Sequence, residues 1–167
     1  MPKLAFPVLS YFLGSIPFGF IVAYLVKEID IRNFGSGNIG ATNVFRVVGK
    51  GWGIFVFILD FLKGFLPLVL TKFLLTSPQD NYIFVLVAVM SVCGHSWTIF
   101  LKFKGGKGVA TSLGAMSGLS FIFPELRLVI LLALCVWALV FLISRIVSLA
   151  SLCAIVSFFI FSLLLVK

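Results

Sequence analysis

Residues 53–75 read Gly53-Ile-Phe-Val-Phe-Ile-Leu-Asp60-Phe-Leu-Lys63-Gly64-Phe-Leu-Pro67-Leu-Val-Leu-Thr71-Lys72-Phe-Leu-Leu75. A helix needs about 20 apolar residues to cross roughly 30 Å of hydrocarbon, and this stretch meets that length. Similar runs lie around it at about 4–26, 82–101, 108–124, 126–143 and 146–166. The whole chain agrees with them: 62% of its 167 residues are hydrophobic and 11% charged, with a mean hydropathy of +1.25. A soluble domain is usually about 45–50% apolar and about 25% charged. Too little polar surface is present to cover a water-soluble globule, which excludes intrinsic disorder, a secreted disulfide scaffold and a soluble enzyme. The expected fold is all-α, a polytopic transmembrane helical bundle of about six spans.

Charge placement orients the bundle. Lys27, Arg32, Arg46 and Lys50 follow the first run, Lys102, Lys104 and Lys107 follow the third, and Arg145 follows the fifth. Lys3, Lys72, Arg127 and Lys167 fall on the other side. Basic connections stay in the cytoplasm, so the N-terminus is expected outside. The net charge of +8 therefore reads as retained cytoplasmic Lys and Arg, not as a nucleic-acid surface. Only Lys3 precedes the first run and no small-residue cleavage site is evident, so that run reads as a true span. Cys93, Cys135 and Cys153 sit inside apolar runs without metal-ligand spacing and read as small hydrophobes. Gly114 and Gly118 make a G-x-x-x-G pair that lets helices approach closely, which predicts a central helix. Pro17 and Pro67 predict kinks.

Residues 27–52 form a connection far longer than two adjacent helices require, and long ordered loops are usually functional. Gly35, Gly37 and Gly40 match G-x-G-x-x-G, with Asp60 twenty residues on. A dinucleotide site needs a preceding strand in a βαβ unit, and here a membrane span precedes it, so that reading fails. The glycines still permit positive φ and a nest of N–H groups for an anion. Ser36, Asn38, Thr42 and Asn43 add side-chain donors, and a short helix starting near Gly40 aims its N-terminus at the same anion. Arg46 offers a planar fork suited to phosphate. The second basic loop, Lys102-Phe103-Lys104-Gly105-Gly106-Lys107-Gly108, reads either as a topology determinant or as a second phosphate cradle. Both loops fall on one face, which suggests one site for phosphorylated substrates.

Within the spans, Asp60 and Lys63 stand i, i+3 and can neutralise each other as a structural pair. Of general base, ligand and interfacial hydrogen-bonding group, the last is the expected role of His95. The acyltransferase signature of a His followed five positions later by Asp is absent, because that position is Phe100. No other Ser–His–Asp constellation can be assembled.

The stretches Gly14-Ser15-Ile16-Pro17-Phe18-Gly19, Gly35-Ser-Gly-Asn-Ile-Gly-Ala-Thr-Asn43, Asp60-Phe-Leu-Lys-Gly64, Gly94-His95, Lys102-Phe-Lys-Gly-Gly-Lys-Gly-Val-Ala-Thr111 and Val147-Ser-Leu-Ala-Ser151 resemble, in order, the bacterial acyl-phosphate:glycerol-3-phosphate acyltransferases, the PlsY family. The resemblance implies a multi-pass enzyme of the bacterial cytoplasmic (inner) membrane with its active site on the cytoplasmic face. It implies transfer of a fatty acyl group from acyl phosphate to the 1-position hydroxyl of glycerol 3-phosphate, giving lysophosphatidic acid and phosphate for phospholipid synthesis. Carried over residue by residue, the catalytic set is Ser36, Arg46 and Lys104. Gly35, Gly37, Asn38, Gly40, Thr42, Asn43, Gly105, Gly106, Lys107 and Ser148 are the expected phosphate-binding residues. No metal or other cofactor is expected, and the implied partners are the two substrates and membrane lipid around a monomer.

The family has a seventh span and a cytoplasmic tail carrying a His and an Asn. Residues 1–167 are therefore expected to form a single integral membrane acyltransferase domain lacking that last segment. Two rival readings stand beside it. One is a small anion transporter subunit, which the lack of an inverted repeat disfavours. The other is an inactive, truncated remnant of the enzyme.

Overall fold

The first apolar run is broken in two at its proline. In the computed structural model, which describes residues 3–75 and 81–166, helix α1 covers Ala5–Ser15 and α2 covers Phe18–Lys27. Pro17 has no N–H to continue the ladder and its ring disfavours a helical residue before it. Ile16 is extended in consequence, with ψ of 117°. The break frees two backbone carbonyls inside the bundle, and both find partners. Ser15 O accepts from Thr98 Oγ1 at 2.5 Å, and Ile16 O accepts from Lys63 Nζ at 2.7 Å. Unpaired backbone carbonyls have no water to turn to in a membrane, so such side chains are what allow the break. Pro67 behaves differently from Pro17, because the helix around it continues for two more turns.

The remaining helices follow the runs closely. They are α3, Ala41–Val47; α4, Lys50–Leu74; α5, Asn81–Ser96; α6, Val109–Ile122; α7, Leu126–Ser144; and α8, Val147–Leu165. Five stretches are long and apolar enough to cross a membrane among the described residues, with α1 and α2 together counted as one. The sixth, α6, has 14 residues, about 21 Å at roughly 1.5 Å per residue. Pro124 follows closely and limits it. The chain is an all-helical, multi-pass membrane protein. Lys167, placed above with the outer charges, lies outside the described residues.

The chain forms two compact units, residues 1–118 and 119–167. In the first, glycines let helix backbones touch. A β-carbon on Gly14 would strike Ser91 O, and one on Gly94 would strike Tyr11 O, so α1 and α5 cross through reciprocal glycines. Ser10 Oγ donates to Val87 O at 2.8 Å across the same crossing. Gly64 of α4 faces Thr111 O, while Gly114 faces Phe61 O and Gly118 faces Leu68. The small-residue helix α6 thus packs on α4 through the two glycines that the sequence singles out. The second unit is a helical hairpin of α7 and α8, turned at Arg145, whose φ is 58°. Trp137 Nε1 donates to Ser151 Oγ at 3.2 Å between its two helices. Its outer residues, such as Ile143 at 78% exposure and Leu163 at 70%, are apolar, as lipid requires.

Candidate active site

Asn43 builds the first loop. The residue is 1% exposed, and its amide reaches four backbone groups. Oδ1 accepts from Ser36 N at 2.9 Å, while Nδ2 lies 3.3, 3.0 and 2.9 Å from the carbonyls of Ile31, Phe34 and Asn38, to which it donates. One side chain on α3 therefore ties together the segment from residue 31 to residue 38. Gly35 and Gly37 turn through positive φ of 59° and 70° to close the circuit. A β-carbon on Gly35 would collide with Asn43 Oδ1, so the glycine is needed for approach as well as for conformation. Asn38 Oδ1 accepts from Gly40 N at 2.8 Å, and Gly40 caps α3 with extended backbone. The short helix expected near Gly40 is α3.

This geometry bears on two expectations. Asn43 was expected to bind phosphate, yet its amide is buried and committed to the loop. The glycine loops were expected to present converging N–H groups, yet these amides are largely paired inside the protein. Gly37 N donates to Phe34 O at 3.0 Å, Gly105 N to Ser96 O at 3.1 Å and Gly106 N to His95 O at 3.0 Å. With Ser36 N and Gly40 N also paired, these glycines supply shape to the loops. Motif spacing counts N–H groups without telling where they point. What the loops present outward are side chains. Ser36, Thr42, Arg46 and Lys104 are exposed, and among the described residues their side chains have no hydrogen-bond or ion-pair partner.

The two loops share an apolar floor. Ile31, Ile39, Val44 and Val48 from the first loop join Val22 and Ala23 of α2, Val56 of α4 and Leu101 in one buried cluster. Leu101 belongs to the 3₁₀ turn Ile99–Leu101 that begins the second loop. A β-carbon on Gly19 would strike Ile39 O, and one on Gly53 would strike the backbone of Phe45, so α2 and α4 clamp the first loop from both sides. Lys27 Nζ donates to Val47 O at 2.7 Å and closes the end of α3. Burying several Val, Ile and Leu side chains at about 1.5–3 kcal/mol each gives the loop a rigid base.

The second loop is held from below. Its chain turns through Lys102 and Phe103, both in the left-handed region with φ of 54° and 60°. Phe103 N then donates to Thr98 O at 2.9 Å, ahead of the Gly105 and Gly106 pairings described above. Lys104 and Lys107 are exposed on it. Ser148 lies exposed in the first turn of α8, in the second unit.

His95, expected as an interfacial hydrogen-bonding group, is enclosed by other side chains. It is 4% exposed, with Nδ1 3.6 Å from Asp60 Oδ1, and Lys63 Nζ lies 2.8 Å from the same oxygen. Lys63 meets Asp60 as an ion pair out of hydrogen-bond alignment and directs its hydrogen bond to Ile16 O. The i, i+3 pairing of Asp60 and Lys63 was readable, and the third member was not. The adjacent Gly94-His95 offered the one clue, since a His beside a helix-crossing glycine sits on the packed face. Among the described residues no three His, Cys, Asp or Glu side chains gather as metal ligands.

Fold and loops thus describe an integral membrane protein that presents unpaired cations and hydroxyls on two rigid, glycine-rich loops. Comparison with known proteins places that description. The family described as glycerol-3-phosphate acyltransferase matches residues 4–167. A glycerol-3-phosphate acyltransferase of Endomicrobium trichonymphae is 46% identical over 155 residues, 93% of this chain and 73% of that protein. Another, from Aquifex aeolicus, is 46% identical over 162 residues, 96% of this chain and 79% of that protein. The crystal structure of PlsY, an integral membrane glycerol 3-phosphate acyltransferase, in its glycerol 3-phosphate form superposes with a TM-score of 0.86. Identity there is 43%, covering 98% of this chain and 78% of the other. Its lysophosphatidic acid form gives a TM-score of 0.83 at 42% identity, over 98% of this chain and 77% of the other. The chain belongs to the glycerol-3-phosphate acyltransferase family, and it is an acyltransferase of phospholipid synthesis.

Proposed function

We propose that the chain transfers a fatty acyl group from acyl phosphate to the 1-position hydroxyl of glycerol 3-phosphate at the cytoplasmic face of a bacterial inner membrane. The products are lysophosphatidic acid and inorganic phosphate. The observation that carries this reading is the free state of Arg46 and Lys104 on two loops with a common apolar floor. The substrates both carry phosphate, and one carries an acyl chain that belongs in the bilayer. Solved forms of PlsY with glycerol 3-phosphate and with lysophosphatidic acid support the acceptor and the product.

The chemistry asks little of the protein beyond position and charge. The acceptor hydroxyl oxygen attacks the acyl carbonyl carbon, and the bond from that carbon to the phosphate oxygen breaks. The hydroxyl proton passes to a phosphate oxygen of the substrates, and phosphate leaves. Acyl phosphate is an activated donor, so orientation and neutralisation of developing charge supply the rate. Arg46 grips phosphate through its planar fork, and Lys104 acts as a point charge from the second loop. Ser36, Thr42 and the free side-chain amide nitrogen of Asn38 hold the donor phosphate. In this reading the glycines and Asn43 shape the loop and do not touch substrate.

Transfer from acyl phosphate to labelled glycerol 3-phosphate by the purified chain tests the reading. Arg46→Ala is expected to lower turnover by about 10²–10³, the scale for removing one transition-state donor, while the protein still inserts and folds. Wild-type turnover in that variant, or no transfer by the wild-type chain, sinks the assignment.

A further inference from the structure

One buried cluster is unexplained by any of this chemistry. Asp60, Lys63 and His95 lie beneath the loops, 2–6% exposed, in a region where ionisable groups are costly and rarely idle. They form a chain with direction. Ile16 O, freed by the break at Pro17, anchors Lys63. The Lys63 side chain also lies over the Phe18 ring, 5.5 Å from its centroid. Lys63 holds Asp60, and Asp60 faces His95 Nδ1. The far edge of the imidazole ends the chain against Gly106. A β-carbon at Gly106 would fall on His95 Nε2, with Cε1 and Cδ2 at 3.0 and 3.1 Å. A β-carbon on Gly105 would fall on the carbonyls of His95 and Ser96, and Gly108 also passes within reach of the ring. The second loop therefore rests on the His95 ring and on the last carbonyls of α5.

We infer that His95 is a positioning residue: its ring, seated by the Asp60–Lys63–Ile16 chain, is the strut that sets the height and register of the loop carrying Lys104. The inference rests on the proposed phosphate role of that loop. It explains why Gly105 and Gly106 have no side chains although their N–H groups do not face outward. It also explains why a charged pair is kept within the bundle, since a hydrophobic ring at position 95 would have no fixed orientation relative to α4. The Nδ1···Oδ1 gap of 3.6 Å exceeds a hydrogen bond. His95 Nδ1 and Asp60 Oδ1 both lack hydrogen-bond partners among the described residues, so the ring's remaining polar demand points at α4.

The test combines kinetics with amide hydrogen exchange on the purified full chain, for His95→Ala, Gly106→Ala and the double variant. Loss of the strut is expected to speed exchange across residues 103–108. It is also expected to raise KM for a phosphate substrate about tenfold with kcat within about twofold, the pattern of lost binding and intact chemistry. Gly106→Ala alone is expected to give the same signature, because its methyl group displaces the loop from the ring. In the His95→Ala background the methyl group meets empty space, so the second substitution is expected to add little, a non-additivity that contact alone produces. Unchanged exchange and KM in His95→Ala overturn the strut, and so does full additivity of the two changes. Faster exchange with unaltered kinetics overturns its positioning role. If His95→Ala does not fold, Gly106→Ala decides: a silent Gly106→Ala removes the inference. A wild-type chain inactive in transfer sinks the proposed reaction, and exchange at 103–108 still judges the strut.

Discussion

The two basic loops use the same alphabet, glycine with lysine or arginine, and are held in opposite ways. The first, residues 31–46, is organised from within. Asn43, on the helix that the loop itself leads into, gathers four backbone groups lying five to twelve residues before it. The second, residues 97–108, has no internal organiser of that kind. It leans on the end of α5, on the His95 ring and, through that ring, on α4. A loop folded on its own side chain is vulnerable at one residue. A loop folded on distant helices is vulnerable anywhere along the support, but less so at each point.

The largest effect is therefore expected at Asn43. Asn43→Ala leaves Ser36 N and Asn38 O without partners and strips Ile31 O and Phe34 O to their single backbone donors, and each buried group so orphaned costs about 1–3 kcal/mol. Transfer is expected to fall at least as far as in Arg46→Ala. Exchange across 31–40 is expected to accelerate while exchange in α4 and α5 holds. Asn43→Asp is expected to be no better, because a carboxylate keeps the acceptor for Ser36 N and turns repulsive toward the carbonyls of Ile31, Phe34 and Asn38. If exchange in 31–40 stays slow while KM rises, Asn43 faces substrate and the contrast between the loops collapses.

A smaller and sharper effect separates two glycines of the same loop. Gly35 and Gly37 have similar positive φ, and a non-glycine residue there costs about 1–2 kcal/mol. Only at Gly35 does the added β-carbon also meet Asn43 Oδ1; at Gly37 the nearest atom is Arg32 O at 3.1 Å. Gly35→Ala is thus expected to lose more transfer activity than Gly37→Ala, by about tenfold if the collision adds roughly 1.4 kcal/mol. Equal losses would show that backbone conformation alone matters and that Asn43 moves freely.

This contrast also explains what could be read from the residues in order. Runs of apolar sequence located α4, α5, α7 and α8 to within a few residues, because span length and hydropathy are local properties. Pro17 was legible as a kink for the same reason, and the structure carries it further, to a break between α1 and α2. Asp60 with Lys63 was legible because a helix brings i and i+3 together whatever surrounds it. Asn43 was noticed as a donor beside the glycines, but its commitment to the loop was not, since composition lists donors without directions. The approach of His95 to Asp60 was not legible, because the two lie 35 positions apart on different helices. The carbonyl partners of Thr98 and Lys63, 83 and 47 positions away, were equally invisible. Apart from the Gly114 and Gly118 crossing, sequence pattern found the parts that touch themselves and missed the polar contacts made across the bundle.

The smallest effect is expected at the outer edge of the first loop, where Asp30 and Arg32 form an exposed pair. Arg32 Nε lies 2.9 Å from Asp30 Oδ1 and Nη2 lies 2.6 Å from Oδ2, while the guanidinium rests over Phe20 at 5.3 Å. The hydrogen-bonded guanidinium holds the Asp30 carboxyl below the usual carboxylate range. A depressed folded value stabilises the turn above the unfolded value of about 3.9 and loses that stabilisation as pH falls through the folded value. Asp30→Asn keeps the side-chain oxygen that accepts from Arg32 N but removes the charge and puts an amide donor where Oδ2 accepts from Nη2. At neutral pH transfer is expected to change less than about twofold, since exposed pairs contribute little. Below about pH 4 the wild-type exchange rate at 30–34 is expected to converge on that of the variant, and about 1 M salt at neutral pH should have the same effect by screening. A tenfold loss of transfer in Asp30→Asn would move this pair from the rim into the machinery. The first loop would then depend on a charge outside its Asn43 knot, which the internal organisation described above does not require.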